Sequence, residues 1–271
     1  MTIPTLKQTL STYRQQKKAL PSFNIDCFLT YQAVEKAVSQ TKLPCLVQLS
    51  SGQDKFVQAE RLFILVKKAQ IDGLPIYLNM DHGQDISRLS QLARLGFDML
   101  HFDGSNLEYS INITQTADFI SQAKKLAPQI LIEAEFDPIQ KLSLTSPDRA
   151  KQFIDQTHAD LLAVSVGNLH GVAKQPENLD LDLLFKIQAL TPDTFLVMHG
   201  GSGIDAGQLS TAIKTGIVKI NINTDLRHVL RKSLLKSLTA IDSLKAYDYL
   251  SPVVDDLSLA VVQSLTNFSH V

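Results

Sequence analysis

The sequence predicts an α/β chain folded as a (β/α)8 TIM barrel with an additional N-terminal and C-terminal helix, and three observations carry that prediction. Short β-rich runs alternate with longer stretches of helical period, eight times over. The runs are mostly apolar, as strands of a parallel sheet covered on both faces are, where half-exposed antiparallel strands would alternate cleanly. A chain of 271 residues, 44% of them hydrophobic, buries a large core and suits one barrel, so residues 1–271 are expected to form a single domain. Eight repeats favour closure over an open doubly wound sheet.

The elements follow in order. A leading helix at 6–16 stands outside the repeats. The strand candidates are 22–25, 45–50, 76–81, 99–103, 130–136, 161–166, 195–199 and 218–223. Stretches such as 86–95 between them place apolar residues at helical spacing, and a trailing helix is expected at 252–268. The longest irregular stretch, 167–180, follows strand six, on the side of a barrel where long loops carry chemistry.

Composition excludes several function classes. A net charge of -1 and no basic run longer than Lys17-Lys18 or Lys67-Lys68 leave no footprint for nucleic acid or an anionic membrane. The first residues lack an apolar signal core, and no apolar stretch approaches the roughly 18 residues of a membrane span. Cys27 and Cys45 make neither a disulfide framework nor a metal pair. A soluble, cytoplasmic protein with a small-molecule partner is expected.

Three histidines sit just past strand-like runs: His82, His170 and His199. Taken singly, each would read as a hydrogen-bonded structural residue. Each ending a different strand of one barrel, they converge at one rim, each beside a glycine (Gly83, Gly171, Gly200), and three imidazoles with an open position suit a catalytic divalent metal. Asp81, Asp103 and Glu135 reach the same rim, and Glu133 shares the face of Glu135 because strand side chains alternate. Inward carboxylates are costly unless paired or metal-bound. Asp81, next to a ligand candidate, is the expected general base. His101, His158 and His228 read as core or surface residues without a role. Gly200-Gly201-Ser202-Gly203 after strand seven and Asn221-Ile222-Asn223-Thr224 at the end of strand eight lie where barrels build phosphate sites from backbone N–H groups, and Lys174 adds a charge.

Asp81-His82-Gly83, Phe102-Asp103-Gly104-Ser105, Glu133-Ala134-Glu135, Gly167-Asn168-Leu169-His170-Gly171, His199-Gly200-Gly201-Ser202-Gly203 and Asn221-Ile222-Asn223-Thr224 together resemble, in order and spacing, the class II, metal-dependent ketose-bisphosphate aldolases, which include fructose-bisphosphate and tagatose-bisphosphate aldolases. The resemblance runs from Ser22 to Asp225. It implies a homo-dimer or homo-tetramer with catalytic Zn²⁺ on His82, His170 and His199. It also implies a second or alternative metal position at Asp103 and Glu135, and a monovalent cation near Gly167 and Gly200 as in some relatives. By the same resemblance Asp81 deprotonates the C4 hydroxyl of a phosphorylated ketose. The dihydroxyacetone-phosphate unit falls to Gly171, Lys174, Gly200, Gly201, Ser202, Asn221, Asn223 and Thr224, with Asn24 and Ser50 as further substrate-side positions.

Two departures stand out. After Glu135 the family carries a Gly-Gly-x-Glu-Asp loop whose acid handles the proton on the enediolate carbon. Here Phe136-Asp137-Pro138-Ile139-Gln140-Lys141-Leu142 leads into a helix near Ser146, so the loop is short and Asp137 is the nearest acid. An Asp-Pro-Arg found before the last helix in many members is replaced by Ala246-Tyr247-Asp248. The missing loop leaves open a catalytically impaired member that binds metal and phosphosugar. A Schiff base on Lys219, on strand eight, is made redundant by the metal constellation.

Overall fold

The computed structural model describes residues 3–137, 143–168 and 178–269. Strands β1 (Leu20–Asn24), β2 (Cys45–Ser50), β3 (Ile76–Gly83), β4 (Met99–Asp103), β5 (Leu131–Glu135), β6 (Leu161–Val164), β7 (Phe195–Met198) and β8 (Ile217–Ile222) pair in chain order, all parallel. β8 pairs with β1 through Leu20 and Lys219, which closes the barrel. The outer layer is α2 (Phe28–Thr41), α3 (Ser51–Val57), α4 (Ala59–Ile71), α5 (Ile86–Leu95), α6 (Tyr109–Leu126), α7 (Pro147–Thr157), α8 (Leu181–Leu190), α9 (Ala206–Thr215) and α10 (Thr224–Ala240). α1 (Leu6–Gln15) and α11 (Ala246–Ser269) flank the repeats. Among the described residues no helix is long and apolar enough to cross a membrane.

Local chemistry explains the boundaries. Ser50 and Gln53 form a capping box that starts α3, and Gln58, at φ 67° in the left-handed region, turns the chain into α4, so two helices follow β2. Ser146 caps α7 with Pro147 in the first turn, where its missing N–H costs nothing. The last helix begins at Ala246, earlier than expected, with Pro252 inside it. Ser251 Oγ donates to Tyr247 O (2.6 Å) beside the bond that Pro252 cannot make.

The inward rows of the barrel change character along its axis. Tyr77, Asn79 and Asp81 alternate along β3, Met99, His101 and Asp103 along β4, and Leu131, Glu133 and Glu135 along β5. At the strand N-termini the row is apolar: Leu20, Leu46, Tyr77, Met99, Leu131, Leu161 and Phe195 form a buried cluster with Leu6, Leu10 and Tyr13 of α1. α1 therefore plugs that end, fixed by a 2.7 Å hydrogen bond between Thr9 Oγ1 and the Tyr77 hydroxyl, which also donates to Pro4 O. The middle of the barrel is polar, with Ser22, Gln48, Asn79, Glu133 and Lys219 essentially unexposed, and the C-terminal rim carries the acids and histidines. The outward residues Leu78, Met80, Leu100, Ile132, Leu196 and Ile220 pack with the helices in the main core.

Gly104 lets α6 approach the rim. A Cβ there would lie 2.1 Å from Asn112 Oδ1, and Asn112 is itself committed, donating to Glu135 O (3.0 Å) and accepting from Thr116 Oγ1 (2.8 Å). Because that side chain has nowhere to go, Gly104→Ala is expected to destabilise the fold by about 1–3 kcal/mol. The measurement is a urea unfolding curve with a lowered midpoint and unchanged slope; an unshifted midpoint would show that α6 yields freely.

Candidate active site

Asp81 occupies the centre of the C-terminal rim. It is 4% exposed, and its Oδ2 accepts from Asn24 Nδ2 (3.3 Å) and Gln48 Nε2 (3.1 Å) while Oδ1 accepts from Asn221 Nδ2 (3.1 Å). Those donors are themselves held. Gln48 Nε2 also donates to Asn24 Oδ1 (2.9 Å), and Gln48 Oε1 accepts from Ser22 (2.6 Å) and Asn79 (3.0 Å). Burial alone would raise the Asp81 carboxyl, yet the charge of His82, then the His101 imidazole beside it and, last, the charge of Lys219 hold it well below the usual carboxylate range. It is an ionised, oriented carboxylate.

His82 and His199 present one nitrogen each to a common point. His82 Nδ1 lies 2.9 Å from Asp103 Oδ2, and His199 Nε2 lies 2.6 Å from Glu133 Oε1. Both carboxyls are held low: each is raised by burial but outweighed by neighbouring histidines and, for Glu133, first by Lys219, whose Nζ donates to Glu133 Oε2 at 2.9 Å. Ionised carboxylates only accept, so the imidazole protons sit on those outer nitrogens. The inner nitrogens, His82 Nε2 and His199 Nδ1, then face one another at 3.1 Å. One proton accounts for the contact. His82 takes it, its burial opposed by the charge of Asp81 and the Asp103 hydrogen bond, which together raise its pKa, while burial drives His199 down to about 3.

The same geometry fits a cation. Two imidazoles whose outer N–H groups donate to carboxylates are the usual support of metal-binding histidines. Nitrogens 2.0–2.1 Å from a common tetrahedral zinc stand roughly 3.3 Å apart. Glu135 Oε2 adds an acid 3.7 Å from His82 Nδ1, and Asp81, His82, Asp103, Glu135 and His199 all fall in groups of donors close enough to share an ion. Asp103, which also accepts from Ser105 N–H (3.0 Å) and O–H (2.6 Å), orients His82 in this arrangement. His170, Gly171 and Lys174 lie outside the described residues.

A cavity of about 330 Å³ opens beside this cluster, lined by Asn24, Ser50, Asp81, His82, Gly200, Ser202, Asn221, Asn223, Thr224 and Arg227. Among the described residues it gathers the expected substrate-side positions with one exception. Gly201 spends its N–H on Asn221 O (3.2 Å) and is not a phosphate donor; it is a glycine because a Cβ would lie 2.4 Å from Ile220 Cγ2. Asn223 caps α10 without a side-chain hydrogen bond, which leaves the first-turn N–H groups of that helix without a side-chain cap at the cavity.

Three residues went unread in the sequence. Arg227, one turn into α10, reaches the cavity while its guanidinium is held by Asp26 (2.8 and 2.9 Å). Gln53 ties Asn24 (3.0 Å) to Asp26 (2.7 Å). His101, expected to be a core histidine without a role, is fully buried among the site's acids, its ring 4.8 Å from that of His82. Its spacing two before Asp103, matching Glu133 and Glu135, was the available signal. Asp137, the nearest acid after β5, pairs with Arg149 of α7 at 3.4 Å, and burial raises its pKa.

Comparison with known proteins follows this geometry. The family model for "Fructose-bisphosphate aldolase class-II" matches residues 4–270. The chain belongs to the class II fructose-bisphosphate aldolase family. A fructose-bisphosphate aldolase of Mycoplasma pneumoniae is 31% identical over 260 residues, covering 90% of this chain and 88% of its own. One from Streptococcus pyogenes serotype M1 is 30% identical over 83% of this chain and 80% of its own. Among solved structures, the YdjI aldolase of Escherichia coli K12 superposes with a TM-score of 0.88 at 24% identity, covering 97% of this chain and 96% of its own, which shows the shared fold. Membership makes the chain a carbon–carbon lyase of a metal-dependent family that performs aldol cleavage on phosphosugars.

A cation entering between these two histidines would displace the shared proton. The raised pKa of His82 means that proton is present at low pH and leaves as pH rises through the folded value, whereas His199, already neutral, contributes none near neutrality. Zinc uptake at about pH 6.5 should therefore release a proton from the pair, with less release and tighter apparent binding at higher pH. Calorimetric titration in two buffers of different ionisation heat measures this; no release at the lower pH would contradict it.

Proposed function

We propose that the protein is a zinc-dependent aldolase that reversibly cleaves a phosphorylated ketose, of the fructose 1,6-bisphosphate or tagatose 1,6-bisphosphate type, to dihydroxyacetone phosphate and an aldehyde. The observation that carries this reading is the ionised Asp81 carboxylate placed beside two inward-facing, carboxylate-supported imidazole nitrogens. His82 and His199 would hold the cation, with His170 as the third ligand by family resemblance and Asp103 and Glu135 beside them for a second position. When bound, such a cation supplies a Lewis acid for the negative charge that develops on the ketone side as the C3–C4 bond breaks.

The chain's own groups perform the rest. Asp81 accepts the C4 hydroxyl proton in cleavage and returns it to the aldehyde oxygen in condensation. Its three amide donors occupy fixed positions, so the carboxylate meets the hydroxyl in one orientation. Asn24, Ser50, Ser202 and Asn221 line the space for the polyol, and Gly200, Asn223 and Thr224 with the uncapped start of α10 offer N–H groups for the phosphate at the ketone end. Gly171 and Lys174 are assigned to the same unit by resemblance. Lys219 is bound to Glu133 (2.9 Å) and Asn221 (2.7 Å), which supports a structural cation over a Schiff-base nucleophile. A cytoplasmic homo-dimer or homo-tetramer completes the reading.

Dihydroxyacetone-phosphate release from the two bisphosphates, followed by a coupled reductase assay, tests it. Asp81→Ala is expected to lower kcat by about 10²–10⁴-fold with zinc retained, and His199→Ala to lose zinc. Chelation should abolish turnover and zinc or cobalt restore it. Turnover that survives exhaustive chelation, or an Asp81→Ala enzyme with full kcat, would overturn the proposal.

A further inference from the structure

β3 carries a bulge at the point where it enters the site. Its register against β4 is regular through Met80 and Leu100, then resumes with Gly83 opposite Phe102, so Asp81 and His82 together oppose the single residue His101. His82 takes φ 51° there, in the left-handed region that L side chains rarely adopt. A residue in that conformation persists only where its surroundings over-determine it. The bulge also turns the His82 N–H out of the ladder, and that N–H donates to His101 Nδ1 at 3.1 Å. The residue opposite the bulge thus supplies, from its side chain, the acceptor that its backbone does not.

That hydrogen bond decides what His101 can be. A ring nitrogen that accepts an N–H carries no proton, so the proton of the neutral imidazole is on Nε2. Nε2 has no hydrogen-bond partner among the described residues and lies 3.5 Å from Glu135 Oε2. Neither nitrogen has a lone pair to give to a cation. His82 and His199 differ, since in each the outer nitrogen donates and the inner one faces the partner ring. Although His101 sits within donor range of a shared ion with Asp81, His82 and His199, its hydrogen bonding removes it from the ligand set.

We propose that His101 is a positioning residue: through Nδ1 it fixes the His82 backbone in the left-handed bulge and so sets the 3.1 Å gap between His82 Nε2 and His199 Nδ1. The proposal rests on the reading that this gap receives the cation. Its ring also fills the space beside both imidazoles, with centroids 4.8 Å from His82 and 5.1 Å from His199, and is fully buried.

Two variants separate acceptor from bulk. Asn places its Oδ1 near the position of the histidine Nδ1, and Leu fills the space with no acceptor. Cobalt affinity and the visible spectrum of the cobalt-loaded protein are the readouts. His101→Leu should bind cobalt about 10–100-fold more weakly with an altered spectrum, and His101→Asn should keep wild-type affinity and spectrum, all three at the same stoichiometry. A Leu variant that binds like wild type, or an Asn variant as weak as Leu, overturns the proposal. Nitrogen-15 spectra of the wild-type protein decide it independently of variant folding: His101 should be the Nε2–H tautomer with a coupling across the hydrogen bond to the His82 amide. In the cadmium-113 form, couplings should reach His82 and His199 and not His101. A cadmium coupling to His101 would make it a ligand and overturn the assignment. A wild type that takes up no metal would sink the metal reading instead, while the tautomer and amide coupling would still decide the His101–His82 bond.

Discussion

The charge on Glu133 is the constraint on which the rest of the site depends. Its carboxylate has no exposed surface at the middle of a closed barrel, where an uncompensated ion costs several kcal/mol. Lys219 Nζ at 2.9 Å and His199 Nε2 at 2.6 Å answer it from β8 and from the end of β7. Lys219 in turn donates to Asn221 (2.7 Å), and Asn221 donates to Asp81 (3.1 Å). A single chain of hydrogen bonds therefore joins the buried ion pair to the base. Removing one member would leave its partner buried and unpaired, and the interaction that neutralises the buried carboxylate also aims the site.

A polar middle layer explains the apolar plug below it. Barrel interiors are normally filled by branched aliphatic side chains, but here Ser22, Gln48, Asn79, Glu133 and Lys219 occupy that depth. Water reaching them from the strand N-termini would compete for every one of these bonds and weaken the Glu133–Lys219 attraction by raising the local dielectric. α1 prevents that by laying Leu6, Leu10 and Tyr13 across the ends of β1 to β7. The extra N-terminal helix is thus part of the electrostatics of a site at the opposite end of the barrel.

Much of this was legible in the sequence because each strand delivers its chemistry at its C-terminal end. Asp81, Asp103, Glu135, His199 and Asn221 all close apolar runs, and the β/α alternation placed those ends on one rim. The residues that escaped notice are those whose role depends on a partner strand. Gln48 and Asn79 are inward positions of an alternation hidden in the sequence by apolar residues facing the helices. His101 looked like core because Leu100 and Phe102 flank it; only the register of β3 against β4 shows that it stands opposite a bulge. Arg227 required the direction of α10, which periodicity alone does not give. Gly201 failed in the other sense, since its N–H is taken by Asn221 O and its small size serves packing.

The shortened connection after β5 has a structural counterpart that bears on the family's missing loop signature. Phe136 stacks with Tyr109 and Phe153, and Arg149 of α7 lies over the Tyr109 ring while pairing with Asp137. On the far side of the connection Thr145 N–H donates to Ser165 O (2.8 Å) and Ser165 N–H to Thr145 Oγ1 (2.9 Å), which ties the approach to α7 onto the end of β6. The flank before residues 138–142 is therefore packed against the outer layer, with Asp137 paired to Arg149, and the flank after them is tied to the end of β6. Among the described residues the acids that face the site are Asp81, Asp103 and Glu135, with Glu133 beneath them, and Asp81 alone of these lines the described cavity. Among the described residues the carboxylates of the rim are rooted in the strands, and the rigidity of the barrel sets where they stand.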